Sequence, residues 1–543
     1  MENREKRWQN SRRYSEDQVE TARVILAEIR AGAPTLKTIR SHPLPKGGYV
    51  AKHTLVSVYR QQVEDGLTPD DPALLARIRM KPMRTLSGVS TVTVLTEPHP
   101  CPGECLFCPD DKDLPKSYLK EEPGAARAFQ NHFDPFLQVR ARLDSYQAIG
   151  HPVDKIELLI LGGSWSAYPQ DYRIWFIKRC FDAMNGMDSA TLEEAQTINE
   201  TALSRNVGLV VETRPDMVTP AELAEMRRVG VTKVQMGAQS FDDSILRRNC
   251  RGHSVDDTLR AVALLRAAGF KIVLHWMPNL LGATPQSDRQ DFMRMWDDGF
   301  CPDELKIYPT QLVKEAPLYK HWQAGDYHPY TTDTLVQLIA DIKPVIPEYC
   351  RVNRIVRDIP ADYIVAGSKR SSLRQDVQAE LARRGSRCRC VRCREIRGRV
   401  VDIDTLQLKD FIYMPADAEE HFISYSTPDD RLAGYLRLSL GVSAQAQQRE
   451  TAKGALQQLM PDLQGAALIR EVHIFGQSLE VGADQAGAPQ HSGLGTALLE
   501  RAEVVARAAG FRQLAVIAAV GTRLYYEKRG FKRAAFYMIK EIG

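Results

Sequence analysis

The chain has 543 residues, a net charge of +4 at pH 7 and ten cysteines. This length exceeds that of a single hydrophobic core and predicts two to four domains. The first residues are charged, and no stretch is apolar for long enough to span a bilayer, so we expect a cytoplasmic protein without membrane contact. In a reducing compartment, clustered cysteines indicate metal or redox sites rather than disulfides.

Residues 1–85 form a basic region with helical patterning. Between residues 86 and 350, apolar β-rich runs alternate with stretches that have apolar residues at helical spacing, such as 171–184, 220–229 and 255–268. The alternation predicts an α/β fold, with a parallel sheet or an incomplete barrel of six β/α units. Reactive groups are then expected at the carboxyl ends of the strands. The six runs are TVTVLTE, KIELLILGG, VGLVVETRPD, VTKVQMGAQS, FKIVLHWMP and ELKIYPT.

The stretch CPGECLFCPD follows the first of these runs and contains Cys101, Cys105 and Cys108. Three thiolates at this spacing can bind three irons of a [4Fe-4S] cluster, which leaves the fourth iron free to bind S-adenosylmethionine. The pattern is typical of a radical S-adenosylmethionine enzyme. The alternatives are a zinc site completed by a distant histidine, or three loop cysteines without a metal.

Polar and glycine residues at later strand ends are candidate contacts for S-adenosylmethionine. Gly162 and Gly163 end the second run and allow close approach of a ligand to the backbone. Glu212 and Gln239 end later runs and could bind hydroxyl or amino groups of the cofactor. Arg214 is either a catalytic group or a structural partner of a nearby carboxylate.

Residues 351–399 form a short basic connector, in which eleven basic residues face three acidic ones from position 369 to 399. This charge indicates a phosphate-binding surface, and the alternative is a solvated basic face without a partner. The candidate residues are Lys369, Arg370, Arg374, Arg383, Arg384 and Arg387.

The connector also contains the sequence CRCVRC, with Cys388, Cys390 and Cys393. Three close thiolates with a fourth ligand suit structural zinc, and a second iron–sulfur cluster is a competing interpretation. The fourth ligand would be an upstream cysteine, a histidine or a water. We name His473 as the candidate, with His421 as the other downstream histidine in a β-like segment.

Residues 400–543 have the pattern of a smaller α/β unit, with β-like runs at 400–413, 432–440, 466–475, 513–520 and 531–539 and a helix at 493–509. QHSGLGTALL places Gln490, Gly493 and Gly495 at the start of this helix, where backbone N–H groups can bind a pyrophosphate. With VGTRLYYEKRGF, this stretch resembles the acetyl-coenzyme A loop and C-terminal signature of GNAT acyltransferases. The resemblance implies that Tyr525 and Tyr526 lie near the thioester, and we expect one of the two to pack in the core instead.

The combination of these motifs with FDPFLQVRARL, GGSWSAYP, RGHSVDDTLRAV and IREVHIFG resembles the catalytic subunit of Elongator and its free-standing prokaryotic relatives, the tRNA uridine(34) acetyltransferases. The resemblance implies a partial (β/α)6 radical S-adenosylmethionine barrel at 86–350 and a GNAT-like domain at 400–543, joined by the zinc-binding connector. One departure is local, because Asp110 and Asp111 follow Pro109 where many members of the family have glycines.

The family resemblance also implies the reaction. A 5′-deoxyadenosyl radical takes a hydrogen atom from the methyl group of acetyl-coenzyme A, the resulting carbon radical adds to C5 of the wobble uridine, and hydrolysis of the thioester leaves a carboxymethyl group. The expected partners are the anticodon stem-loop of tRNA, bound by the basic connector, and an electron donor of unknown identity, with a homodimer as a possible assembly. N-terminal Lys6, Arg7, Arg12 and Arg13 could add a mobile basic arm. The alternatives are acetylation of protein lysines by the GNAT module and an RNA-binding scaffold with degenerate sites.

Overall fold

The computed structural model describes residues 14–397, 399, 401–415, 418–441, 451–475 and 493–543. Among the helices of these residues, none is long and apolar enough to cross a membrane.

The N-terminal region is a small helical unit with its own apolar core. Ser15 caps the first helix with a capping box, and the core packs residues such as Ile25, Leu55 and Tyr59 between the helices. The predicted helical pattern of this region is therefore present in the structure. Its helices are α1 (Glu16–Arg30), α2 (Thr35–Ser41), α3 (Lys52–Glu64) and α4 (Pro72–Ile78).

An entirely parallel sheet follows, with the strand order β1-β2-β3-β4-β5-β6-β8. In β1 and β2, buried residues alternate with partly exposed ones, because one face packs against helices and the other lines a cavity. The predicted α/β class is confirmed, and the strands are β1 (Ser90–Leu95), β2 (Lys155–Leu161), β3 (Arg205–Thr213), β4 (Lys233–Gln239), β5 (Lys271–Trp276), β6 (Glu304–Ile307) and β8 (Arg351–Arg354).

The helices of the barrel begin where the sequence supplies caps and prolines. Asp134, Thr219 and Thr284 each accept a hydrogen bond from the first turn of a helix that has proline at its start. The helices are α5 (Pro123–Gln130), α6 (Pro135–Ala148), α7 (Gln170–Asn185), α8 (Leu192–Asn199), α9 (Pro220–Arg228), α10 (Asp243–Arg248), α11 (Val255–Ala267), α12 (Pro285–Asp297), α13 (Leu318–Ala324) and α14 (Thr332–Ile342).

The sheet has one strand more than the six that we predicted. Strand β8 pairs in parallel with β6 and lies within the segment predicted as connector. Its sequence, RVNR, has a single buried apolar residue, Val352, so it lacks the apolar run that marks the other strands. The rest of the connector contains β9 (Ile364–Ala366), which pairs with β7 (Leu312–Val313), and the helices α15 (Leu373–Arg383) and α16 (Val391–Arg394).

The C-terminal unit contains a second sheet, in the order β10-β11-β12-β13-β14-β16-β15. All neighbours are antiparallel except β13 and β14. The β-like runs that we predicted did not include β11, although His421 was expected in a β-like segment, because the first half of this strand is the polar sequence AEEH. Glu420 of this sequence is buried by an ion pair with Arg470. The elements are β10 (Gln407–Tyr413), β11 (Ala418–Ser426), β12 (Leu432–Gly441), α17 (Thr451–Leu459), β13 (Ala466–Ile474), α18 (Leu494–Ala508), β14 (Gln513–Val516), α19 (Arg523–Glu527), β15 (Lys532–Arg533) and β16 (Met538–Glu541).

Strands β13 and β14 separate partway along their length. They pair from Ala466 opposite Gln513 to Ile469 opposite Val516, and Arg470 then forms a bulge in β13. Beyond this bulge, residues 471–474 pair with β12 alone among the described strands. The split leaves one backbone edge of β13 open to a ligand.

A buried ion-pair network joins the two sheets. Asp303, at the start of β6, accepts hydrogen bonds from Arg470 (Nη2 to Oδ1, 2.7 Å) and lies 3.3 Å from Nη1 of Arg437. Arg470 also bonds Glu420 at 2.7 Å, and Arg437 bonds Glu471 at 2.9 Å. Removing one member would leave a buried charge unpaired, at a cost of about 3–5 kcal/mol.

More contacts hold the two units together beside this network. Arg227 of α9 donates to the carbonyl of Phe536 at 2.7 Å, and Arg523 of α19 lies 3.1 Å from Glu200. These contacts join different helices of the barrel to the second unit, so the interface between the two units extends over several elements.

Candidate active site

A cavity of about 1150 Å³ extends from the predicted cluster and S-adenosylmethionine residues to the second sheet, where Tyr526 lines it but Gly493, Gly495 and Tyr525 do not. It begins at the cysteine loop, continues through the interior of the barrel and ends at the split between β13 and β14. Its lining includes Cys105, Glu212, Lys271, His473 and Tyr526. Residues of both units therefore line one continuous cavity.

The first cysteine cluster lies at the carboxyl end of the barrel. Cys105 is buried, whereas Cys101 and Cys108 are partly exposed. A hydrogen bond from the Cys108 thiol lowers the pKa of Cys105 to about 5, against the effect of burial, and Arg251 adds to this effect because its Nη1 lies 3.4 Å from the sulfur. This environment favours the thiolate form that binds iron.

Two arginines surround the loop, and sequence reasoning identified only one of them. Arg214 forms a bidentate ion pair with Asp216 and contacts Gly103, so it is a structural partner of the cluster loop. Arg251 donates to the carbonyl of Gly237 at 2.6 Å as well as to Cys105. Arg251 lies in the sequence RGHS, which follows the short helix α10. No local sequence pattern there predicts its contact with Cys105.

The predicted S-adenosylmethionine residues all line the cavity. A side chain at Gly162, whose φ is 141°, would overlap Thr96, so close packing requires glycine there. Desolvation raises the pKa of Glu212, whose Oε1 lies 3.7 Å from Nδ1 of His275. Gln239 has a left-handed backbone with φ of 70°, and its buried Oε1 has no hydrogen-bond partner among the described residues. A cofactor that donates a hydrogen bond fits this atom.

The second cysteine cluster is a compact group. The sulfur atoms of Cys388, Cys390 and Cys393 lie within 4.8 Å of one another. Thiolates around a tetrahedral zinc ion, at 2.3 Å from the metal, are about 3.8 Å apart. The donor set therefore fits one zinc ion with three protein thiolates.

His473 lies elsewhere, and the structure does not bring it to these cysteines. It belongs to β13, stacks on Tyr435 with ring centroids 5.7 Å apart, and lines the cavity. Burial lowers its pKa to about 4. His421 is held by Asp410 and Glu419, each at 3.0 Å. Among the described residues, the close group of metal-binding atoms contains only the three cysteines.

Most of the predicted phosphate-binding residues already have partners. Arg370 pairs with Asp376, and Arg383 and Arg384 both pair with Glu380. Arg374 donates to backbone carbonyls of β8 and lines the cavity.

Two of the predicted residues remain available for a ligand. Lys369 and Arg387 are exposed and have no ion pair with a described residue. Arg392 and Arg397, which we did not predict as site residues, line the cavity close to the same segment.

At the acyl end, Gly493 has φ of 77° at the start of α18. A Cβ atom at Gly495 would lie 2.6 Å from the hydroxyl of Tyr525 and 3.8 Å from Cγ1 of Ile474, which places this glycine beside the open edge of β13. Tyr526 is buried against Phe531 and lines the cavity, whereas Tyr525 is partly exposed under the guanidinium of Arg529. Gln490 and the basic residues near the N-terminus lie outside the described part of the chain.

The comparisons with known proteins agree with this geometry. The Radical SAM superfamily model matches residues 99–295, and the Radical_SAM C-terminal domain model matches residues 302–383, which includes the boundary predicted at residue 350. The chain is thus a radical S-adenosylmethionine enzyme, a class that uses S-adenosylmethionine and a [4Fe-4S] cluster.

The particular family follows from the relatives. tRNA uridine(34) acetyltransferase of Dehalococcoides mccartyi (strain CBDB1) is 42% identical over 84% of this chain and 99% of the relative. Elongator complex protein 3 of Homo sapiens is 34% identical over 86% of each chain. The solved structure of archaeal Methanocaldococcus infernus Elp3 with an N-terminal deletion (1–46) is 35% identical, has a TM-score of 0.71 and covers 84% of this chain and 99% of that chain. This chain belongs to the family of tRNA uridine(34) acetyltransferases and Elongator complex protein 3, as the motifs predicted.

Proposed function

We propose that this chain modifies tRNA by adding an acetyl-derived carboxymethyl group to C5 of uridine 34. The observation that carries the proposal is the single cavity that contains both the cysteine loop and the split of the acyltransferase-like sheet. An enzyme that used only the iron–sulfur cluster, or only an acetyl donor, would not require both sites in one cavity. The names of the relatives support tRNA as the substrate.

At the end of the cavity formed by the cysteine loop, Cys101, Cys105 and Cys108 hold the [4Fe-4S] cluster. Gly162, Gly163, Glu212 and Gln239 bind S-adenosylmethionine, which with the cluster supplies the 5′-deoxyadenosyl radical. The placement of the four residues around the cavity supports this assignment. Arg251 stabilises the negative charge of the cluster ligands through its contact with Cys105.

At the start of α18, Gly493 and Gly495 bind the pyrophosphate of acetyl-coenzyme A, and Gln490, outside the described residues, is the third predicted contact. The open backbone edge of residues 471–474 pairs with the amide groups of the pantetheine arm. Tyr526 lines the cavity near the thioester, and Tyr525 contacts the glycine loop, so the two tyrosines have different positions relative to the acetyl group.

The anticodon loop is single-stranded, and its bases can turn out into a pocket while a basic surface binds the phosphates. Lys369 and Arg387 are suited to this role because they are exposed and without a described ion-pair partner. The other four predicted residues would have to exchange an existing contact for a phosphate. Zinc held by Cys388, Cys390 and Cys393 stabilises the connector that carries this surface.

The test is an anaerobic reaction of the reconstituted protein with a reductant, S-adenosylmethionine, acetyl-coenzyme A and unmodified tRNA. We expect mass spectrometry of the digested tRNA to detect carboxymethyluridine at position 34, and we expect none with Cys105→Ala. Formation of 5′-deoxyadenosine with unchanged tRNA would contradict the assigned substrate.

The same assay also tests for protein lysine acetylation, the alternative function that the names of the relatives do not favour. Transfer of labelled acetyl groups to protein without tRNA would support that alternative. Cys105→Ala should leave such a transfer intact, because it does not use the radical.

A further inference from the structure

The floor of the barrel is polar, although the interior of such barrels is normally packed with branched apolar residues. We use the term floor layer for Glu157, Lys233, Lys271 and Glu304, which lie near the amino-terminal ends of their strands and line the cavity. Gly208 of β3 pairs with Glu157 and carries no side chain at this level, where an added Cβ would make an ordinary contact of 3.5 Å with Glu157. The lining of the cavity therefore continues through this level of the barrel, where these side chains form ion pairs with one another.

The floor layer separates the two ends of the cavity. From Glu157 to Leu161 at the carboxyl end of β2, the strand rises by about 13 Å. The cysteine loop lies beyond this end, whereas Glu471 and His473 of β13 lie on the other side of the layer. An acetyl group held at the split of β13 is thus too far from the cluster for direct hydrogen transfer.

The two units are not free to close this distance. Asp303, Arg437 and Arg470 form a network of fully or almost fully buried charges across the interface, and opening it would expose or unpair them. The acetyl group, rather than the protein, must therefore move. Coenzyme A carries acyl groups on a long flexible arm, which suits such a movement.

The two carboxylates that pair with Lys271 each keep another cationic partner when Lys271 turns away, because Glu304 also lies 3.3 Å from Lys233. Lys271 is bonded to Glu471 and lies 3.1 Å from Glu304. When Lys271 turns away, Glu471 still has Arg437 at 2.9 Å and the hydroxyl of Tyr435 at 2.8 Å. Lys271 is thus the movable member of this layer.

We propose that the acetyl-pantetheine arm passes through the floor layer beside Gly208 and Lys271, so that the acetyl methyl group reaches the radical inside the barrel. The inference rests on the proposed function and adds the route of the substrate. In the step that follows, one methyl C–H bond breaks and its hydrogen atom forms the new C–H bond at C5′ of 5′-deoxyadenosine. The acetyl carbon keeps the unpaired electron.

The experiment measures transfer of deuterium from [2-²H₃]acetyl-coenzyme A to 5′-deoxyadenosine in variants that narrow the passage. Gly208→Phe should still cleave S-adenosylmethionine and bind acetyl-coenzyme A with unchanged affinity, while deuterium transfer falls at least about tenfold. Gly208→Ala should have a smaller effect, since its methyl group fits at ordinary contact distances. Val207→Phe is an independent obstruction at a partly exposed position of the lining.

Leu203→Phe is the matched control, because Leu203 is 92% exposed and lies before the same strand. If either Gly208→Phe or Val207→Phe transferred as much deuterium as the wild-type protein, the proposed route would be wrong. Loss of S-adenosylmethionine cleavage in both variants would also contradict it. If the wild-type protein itself transferred no deuterium, the proposed function would fail rather than the route.

Discussion

The two cysteine clusters of this chain contain three thiols each but differ in spacing and surroundings. Cys388, Cys390 and Cys393 form a group within 4.8 Å, and among the described residues Cys101, Cys105 and Cys108 form no group as close. In a [4Fe-4S] cluster each thiolate binds a different iron, so the sulfurs lie farther apart than around one ion. The close spacing of the second cluster therefore suits a single ion.

The surroundings of the two clusters differ as well. The first cluster lines the large cavity, where a substrate can reach it, and Arg251 contacts its buried cysteine. The second lies between β8 and the second sheet, and Val391 beside it donates a backbone hydrogen bond to the carbonyl of Cys350 at 2.9 Å. The first position suits catalysis and the second suits a structural role.

The largest effect is expected from Cys105→Ser. Because the cluster would lose one of its three protein ligands, we expect iron content to drop and 5′-deoxyadenosine formation to fall by roughly 1000-fold or more. Iron analysis and chromatography of the nucleoside measure these quantities. Cys250→Ser, which removes an exposed thiol outside both clusters, is the control and should retain both.

Cys390→Ser should distinguish the roles of the two clusters, because we expect it to lower the stability of the protein and not its radical chemistry. We expect loss of zinc and a decrease of roughly 5 °C in the midpoint of thermal unfolding, since a structural zinc site contributes folding free energy. S-adenosylmethionine cleavage should remain within about threefold of wild type at temperatures where the protein is folded. A variant with normal stability but no cleavage would contradict the structural role.

A smaller effect is expected when the arginines beside the two clusters are compared. Arg251→Lys removes the planar group that bonds both Cys105 and Gly237, so we expect about a tenfold lower rate of S-adenosylmethionine cleavage. Arg389→Lys is the matched change at the second cluster, where Arg389 is exposed and bonds Glu348, and should leave this rate unchanged. Equal losses in the two variants would show that the contact to Cys105 has no special role.

The smallest effect concerns tRNA binding by the connector. Arg387→Gln should weaken binding a few-fold and lower the salt dependence by about one phosphate contact, because Arg387 is exposed without a described ion-pair partner. Arg383→Gln should weaken binding less, since Arg383 is already paired with Glu380. Binding isotherms at several salt concentrations measure both, and the reverse order would contradict this assignment.

The sequence predicted much of this arrangement because its signals are local. Apolar periodicity placed α7 and α11 to within one residue, and the spacing of Cys388, Cys390 and Cys393 predicted the close group of sulfurs that the structure shows. Strand β8 and the role of Arg251 depend on neighbours distant in the chain, so no local pattern reveals them. His473 was misplaced as a zinc ligand for the same reason, since its position in β13 aims it at the cavity.

The most direct test of the account follows the atoms of the acetyl group in the wild-type reaction with [2-²H₃]acetyl-coenzyme A. We predict that 5′-deoxyadenosine gains one deuterium and that carboxymethyluridine at position 34 retains two. Deuterium-free 5′-deoxyadenosine, or a carboxymethyl group without deuterium, would contradict the account.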